Sequence, residues 1–145
     1  MFKHILVPTD GSELSARAVD QGTRLAAVLA ARISFIHVLP SFHALSFEAE
    51  ALELSRNEHL QAYTRKSEQI LEKACTAARA GNVECSSAFT VHDHPYEAII
   101  NAAEAKGCDL VLMASHGRRG LQGLLLGSET HKVLTHSRIP VLVIR

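Results

Sequence analysis

The chain is predicted to fold as a doubly wound α/β domain, a five-stranded parallel sheet with helices on both faces. Three observations predict it. Short apolar runs alternate with segments of helical spacing in the order βαβαβαβαβ. The runs are close to continuously apolar, as strands covered on both faces are. The 145 residues suffice for one good core but not for two comfortable ones. In such a fold, with right-handed crossovers, ligands bind outside the carboxyl ends of the strands, where the strand order reverses.

The first strand covers residues 2–7 and is ended by Pro8, after which Thr9, Asp10, Gly11 and Ser12 supply turn and capping residues. Leu14, Ala18, Leu25 and Leu29, with Val19 and Ala26 beside them, recur at three and four and mark a helix over residues 12–30. Residues 33–39 form a second strand, stopped by Pro40. Residues 41–47 carry no period and are read as loop, the only plausible flexible excursion. Leu60, Tyr63, Ser67, Ile70, Leu71, Ala74 and Ala78 then mark a long helix over residues 51–80, closed by Gly81 and Asn82. Residues 83–91 alternate imperfectly as a third strand. His92, Asp93 and His94 make a turn, and Pro95 suits the first position of a third helix. Its buried stripe is Tyr96, Ile99, Ala102 and Ala103, and it ends near Gly107. A strand over residues 110–114, a glycine-bearing loop, a helix over residues 128–136 and a strand over residues 140–144 complete the chain.

Composition narrows the function. Lys plus Arg and Asp plus Glu both count 15, so no basic surface for nucleic acid is expected, and the balanced charge is compatible with self-association. The N-terminal apolar run is too short for a signal peptide, and no stretch approaches the roughly 18 apolar residues of a membrane span. A cytoplasmic protein without membrane insertion is therefore expected. Cys75, Cys85 and Cys108 form no C-x-x-C pair and are read as buried or semi-buried thiols.

The functional argument centres on DLVLMASHGRRGLQGLLLGS, residues 109–128. A buried strand leads into a loop carrying Gly117, Gly120, Gly123 and Gly127, which permit positive φ or close approach, and Ser128 is a good N-cap for the following helix. Exposed N–H groups and the helix dipole can then hold phosphate. The plain alternative is a mobile surface loop whose glycines only ease a turn. Arg118 and Arg119 either pair with phosphate oxygens or are simply solvated. Asp10 is suited to a ribose hydroxyl or to a metal held with phosphate, since Ser12 can cap the first helix in its place.

Several other chemistries are excluded. Ser115 and His116 with Asp10 do not make a hydrolase triad: adjacent residues leaving a strand point to opposite sides, and no G-x-S-x-G elbow is present. His92 and His94 lack a third metal ligand. Neither G-x-x-x-x-G-K-[ST] nor a G-x-G-x-x-G after the first strand occurs. A phosphoacceptor receiver would want clustered carboxylates after strand one and a lysine after strand five; here Asp10 stands alone and Arg145 closes the sequence.

VPTDGS after the first strand, His37-Val38-Leu39 ending the second, and LVLMASHGRRGLQGLLLGS with a C-terminal IPVLVIR resemble the universal stress protein family over essentially the whole chain. The family's nucleotide-binding branch carries G-x2-G-x9-G-[ST]. Here Gly117 is the second glycine and Gly127-Ser128 closes the motif at the right spacing, while Ala114 stands at the first glycine. The resemblance implies strand order 3-2-1-4-5 in a Rossmann-like sheet, ATP with Mg²⁺, and a homodimer paired through the final strand, from Pro140 through Ile144. It places Pro8, Thr9, Asp10 and Val38 around adenine and ribose, with the Val38 backbone offered to the base. Met113, Ala114, Ser115, His116, Gly117 and Arg118 line the nucleotide, and the phosphates lie on backbone N–H groups with Gly127, Ser128, Glu129 and Thr130. Asp10 is the one metal-side residue, acting through ATP-bound Mg²⁺. No catalytic residue is assigned. The function implied is a nucleotide-responsive binding or regulatory module in stress response, with a protein partner left unnamed; the rivals are a slow ATP hydrolase or phosphotransfer protein and a nucleotide-free dimeric scaffold.

Overall fold

β1 (His4–Pro8) sits at the centre of a five-stranded sheet because the chain first winds outward on one side of it and then returns to the other. The computed structural model describes residues 1–41, 53–117 and 126–145, the side chains of residues 53–57 excepted. After β1 come α1 (Glu13–Leu29), β2 (Arg32–Leu39), α2 (Glu53–Ala80), β3 (Cys85–Val91), α3 (Pro95–Ala105), β4 (Leu110–Ala114), α4 (Ser128–His136) and β5 (Val141–Ile144). The order is β3-β2-β1-β4-β5 and every neighbouring pair is parallel, as the sequence predicts.

The alternation of side chains sorts the core into two layers. Ile5 and Val7 of β1, Ile33 and Phe35 of β2 and Leu112 of β4 face Ala18, Val19 and Ala26 of α1 and Leu71, Ala74 and Ala78 of α2. Leu6, Ile36, Val111 and Met113 point the other way, against Ile99 and Ala103 of α3 and Val133 of α4. Helices therefore cover both faces, which is why the strands read as unbroken apolar runs.

Element ends follow local chemistry. Ser12 caps α1, its hydroxyl accepting from the Ser15 N–H at 3.2 Å. Asn82 takes the left-handed conformation that closes α2, at φ 55°. Pro95 opens α3 as expected. β1 and β3 begin two residues later than the sequence pattern places them, and β1 runs on through Pro8. Most of the loop read at residues 41–47 lies outside the described residues. Cys75 and Cys108 are buried and Cys85 is half-buried, all free thiols. Burial pushes Cys108 up to about 11 and raises Cys85 as well, so both are poor nucleophiles.

The decisive feature is a gap in the ladder. β1 and β2 pair along all five residues of β1, whereas β1 and β4 pair only at Ile5–Leu110 and Leu6–Val111. Pro8 has no N–H to offer beyond that point. The carboxyl ends of β1 and β4 thus part above Leu6, and the sheet has a crevice at its switch point.

Candidate nucleotide-binding crevice

The loops leaving β1 and β4 meet over this crevice. A Cβ on Gly117 would lie 2.6 Å from Oδ2 of Asp10. Gly117 is therefore needed for close approach, and its φ is not positive. The same holds at Gly127, where φ is −68° and a Cβ would lie 3.1 Å from the Ser115 carbonyl oxygen. Of the two uses expected of these glycines, positive φ and close approach, the structure shows close approach at both. Gly120, Gly123, Arg118 and Arg119 lie outside the described residues.

Asp10 is held at the rim by its other oxygen, Oδ1, which accepts the Ser12 N–H at 2.9 Å. Thr9 is buried; its hydroxyl lies 3.2 Å from that of Ser15 and stiffens the turn. The Thr9 N–H reaches the Ile36 carbonyl at 2.9 Å and is the last rung between β1 and β2. By the parity of a parallel ladder, Val38 directs its N–H and C=O to the same side as Ile36, beyond that rung. The Val38 backbone therefore faces the crevice, and its side chain packs with the α3 layer.

On the far wall, α4 is stitched to the end of β4. The Gly127 N–H donates to the Ser115 carbonyl at 2.7 Å, and the Thr130 hydroxyl donates to the Ala114 carbonyl at 3.0 Å. Ser115 in turn donates its N–H to Ile144 at 2.7 Å. Met113, Ala114 and Ser115 are all buried by this stitching. Ser128 is not the N-cap, as its residue type suggests. Gly127 occupies the cap and Ser128 is the first helical residue, because the Ser115 carbonyl draws the Gly127 N–H and fixes the start of the turn. Among the described residues no side chain caps α4. The first intrahelical bond is His131 to Gly127, so the N–H groups of Ser128, Glu129 and Thr130 have no partner among the described residues.

Beside them, the Ser115 hydroxyl and Nδ1 of His116 lie 3.0 Å apart. The reasoning that these side chains must diverge is therefore corrected: both residues lie past the end of β4, where strand alternation no longer applies. A triad is still not formed, since the Asp10 carboxylate is engaged at Ser12 and in the approach to Gly117. Nε2 of His116 is buried without a partner among the described residues. When Ser115 donates to Nδ1, Nε2 carries the proton and is a donor lacking an acceptor. The side chain of Glu129 turns away from this group toward α3, where it accepts the Tyr96 N–H at 2.9 Å. The family resemblance places Glu129 at the phosphates through its N–H; the contact of its carboxylate spans 33 residues and leaves no local signal.

The arrangement offers an anion-binding helix start, a hydrogen-bonding backbone edge at Val38 and a carboxylate at Asp10. These are the chemistries of phosphate, base and sugar or metal respectively. Among the described residues no group of three or more His, Cys, Asp or Glu side chains could hold a metal by itself. No helix among them is long and apolar enough to cross a membrane.

Comparison with known proteins agrees with this architecture. The universal stress protein YxiE of Bacillus subtilis is 32% identical over the whole of both chains. The solved structure of MJ0577, a universal stress protein of Methanocaldococcus jannaschii, superposes with a TM-score of 0.84 at 30% identity, over 99% of this chain and 96% of that one. A universal stress protein solved in complex with cAMP shares the fold, at a TM-score of 0.69 and 24% identity over 99% of this chain and 97% of its own. The model of the universal stress protein family matches residues 1–145, and with these relatives it shows that the chain belongs to that family.

Proposed function

We propose that this protein is a nucleotide-responsive regulatory module that binds ATP with Mg²⁺ in the crevice between β1 and β4. The observation that carries the reading is the uncapped start of α4. Among the described residues, the N–H groups of Ser128, Glu129 and Thr130 have no acceptor, and neither has the buried Nε2 of His116. Such a set is costly in the absence of an acceptor and well matched to phosphate oxygens. A family member carrying cAMP supports an adenine nucleotide as the ligand class. In this reading Val38 meets the base through its backbone, and Asp10 meets a ribose hydroxyl or the Mg²⁺ brought by the phosphates. Ala114 in place of the first motif glycine is compatible, because its carbonyl, rather than its Cα, makes the contact with Thr130.

The proposal extends to a cytoplasmic homodimer paired through β5. That strand bonds β4 and, among the described residues, no other strand, its Leu142 is exposed, and an apolar edge strand is ordinarily covered. Light scattering is expected to give a dimer mass for the wild type and a monomer mass for Leu142→Asp.

Calorimetry and thermal melting with Mg-ATP, AMP and cAMP test the ligand. Saturating Mg-ATP is expected to release heat and to stabilise the fold by roughly 3 kcal/mol at a hundredfold excess over Kd. The absence of both heat and a thermal shift at millimolar concentration would overturn the reading. Catalysis is not required, and a turnover assay on wild type and Asp10→Ala separates a module from a slow hydrolase.

A further inference from the structure

A groove of about 440 Å³ lies along the opposite edge of the sheet from β5, lined by Glu68, Leu71 and Glu72 of α2 and Ser87, Ala88 and Phe89 of β3. β3 bonds β2 on one side, and among the described residues no strand lies on the other. The direction of its free groups follows from the ladder. Ile33 donates to the Glu84 carbonyl and His92 to the Leu39 carbonyl, both at 2.9 Å. Even-numbered positions of β3 therefore address β2, and in a parallel pair the N–H and C=O of one residue point the same way. Cys85, Ser87, Phe89 and Val91 turn both groups outward. Two of these four, Ser87 and Phe89, line the groove.

This edge lacks the usual protections. Its sequence, CSSAFTV, holds no charge and no proline, and Phe89 and Val91 are exposed. The charge comes from the neighbouring helix. α2 runs antiparallel to β3, Cys75 lying against Cys85 and Glu68 to Glu72 beside Ser87 to Phe89. Glu72 is paired with Arg79 at 2.9 Å in an exposed contact, while Glu68 has no ion pair among the described residues.

We propose that this edge receives an extended, basic segment of a partner protein as a sixth strand, its main chain bonded to Ser87 and Phe89 and its Lys or Arg side chains facing Glu68 and Glu72. A second copy of the chain is the wrong occupant. The charged residues of α2 that line the groove are Glu68 and Glu72. A two-fold axis through the middle of β3 would bring the glutamates of one copy against those of the other, an arrangement that like charges oppose. The site does not depend on the nucleotide crevice.

The test uses the full chain and a labelled peptide of about ten residues alternating valine and lysine, with a valine–glutamate peptide as the counterpart. Fluorescence anisotropy is expected to show saturable binding of the lysine peptide only, with amide resonance shifts centred on Ser87 and Phe89. Ser87→Pro removes one outward N–H without touching the β2 ladder, and Glu68→Lys reverses the free charge; each is expected to weaken binding about tenfold or more. Circular dichroism reports whether Ser87→Pro stays folded, and Glu68→Lys, an exposed substitution, decides alone if it does not. Equal binding of the glutamate peptide, undiminished binding by Glu68→Lys or by folded Ser87→Pro, or no saturation by about 1 mM would overturn the proposal.

Discussion

The carboxylate of Glu129, in the first turn of α4, accepts the backbone N–H of Tyr96, in the first turn of α3, at 2.9 Å. His94, the N-cap of α3, gives no side-chain bond to its own helix, so the cap is supplied from another element. The other Glu129 oxygen holds Lys132 at 3.0 Å, and the Lys132 ammonium stands 5.3 Å from the centre of the Tyr96 ring. The helix whose start is proposed to take phosphate is thereby joined to its neighbour, and a ligand that draws α4 would draw α3 with it.

Glu129→Ala is expected to destabilise the fold by about 0.5–2 kcal/mol, the usual value of an N-cap, with a lower urea midpoint at unchanged slope. Glu129→Gln keeps an acceptor oxygen for Tyr96 and should lose less. Equal losses in both variants would mean that the charge, rather than the cap, matters.

Gly117→Ala places a methyl group 2.6 Å from Oδ2 of Asp10. The carboxylate is the end of a side chain and can turn aside, so stability should change by about 1 kcal/mol or less. Turning it aside moves the group proposed to meet ribose or Mg²⁺. The heat of Mg-ATP binding is therefore expected to fall about tenfold in affinity or more, with the melting temperature of the free protein nearly kept. A variant that binds as wild type does would remove Asp10 from the site.

Much of this was legible in the sequence, because strands buried on both faces declare themselves as apolar runs and βαβ units can be wound in few ways. The strand order 3-2-1-4-5 sets the loops after β1 and β4 side by side, while the approach of Gly117 to Asp10 is visible only in the structure. What escaped reading were competitions between adjacent residues and contacts between distant ones. Gly127 and Ser128 are both capping types, and only the Ser115 carbonyl decides between them. Strand alternation does not govern Ser115 and His116, because β4 ends at Ala114. The duty of Glu129 at Tyr96 depends on how α3 and α4 pack, which no local pattern encodes.

His4 joins three strands through a directed chain of hydrogen bonds. Its Nδ1 faces the Lys106 carbonyl at 3.1 Å and must donate there, so Nε2 accepts from the Ser34 hydroxyl at 2.8 Å, which accepts from Ser86 at 2.8 Å. Burial, reinforced by the Arg32 charge, pulls the His4 pKa below its ordinary 6.5. Above pH 6.5 the ring is neutral in both folded and unfolded chains and the network is intact. As pH falls below that value the unfolded chain takes up a proton that the folded chain refuses, and stability declines until the depressed folded value is reached. Asp109, raised by burial but lowered further by the N–H groups of His4 and Lys3, stays ionised through this window and does not contribute. Wild type should exceed His4→Gln by about 1–3 kcal/mol at pH 7.5, with the gap narrowing toward pH 5.5 in urea titrations. A gap independent of pH would show that His4 does not titrate against folding.

Thr23 presents the opposite case, a polar atom that costs stability where it stands. It lies on the buried face of α1 at 7% exposure, and its hydroxyl oxygen is buried without a partner among the described residues. Its methyl group is the part that packs, 3.2 Å from where a Cβ on Gly81 would sit. Replacing the hydroxyl by a second methyl in Thr23→Val keeps the branched shape and removes an unpaired donor, because a buried group left without a partner bears its full desolvation penalty. The variant is expected to gain about 1 kcal/mol, a rise of roughly 3–5 °C in melting temperature, with the heat of nucleotide binding unchanged, since α1 meets the crevice only through its N-terminal turn. A fall in melting temperature would mean that the hydroxyl does find an acceptor in solution and that this helix face is not as dry as its packing implies.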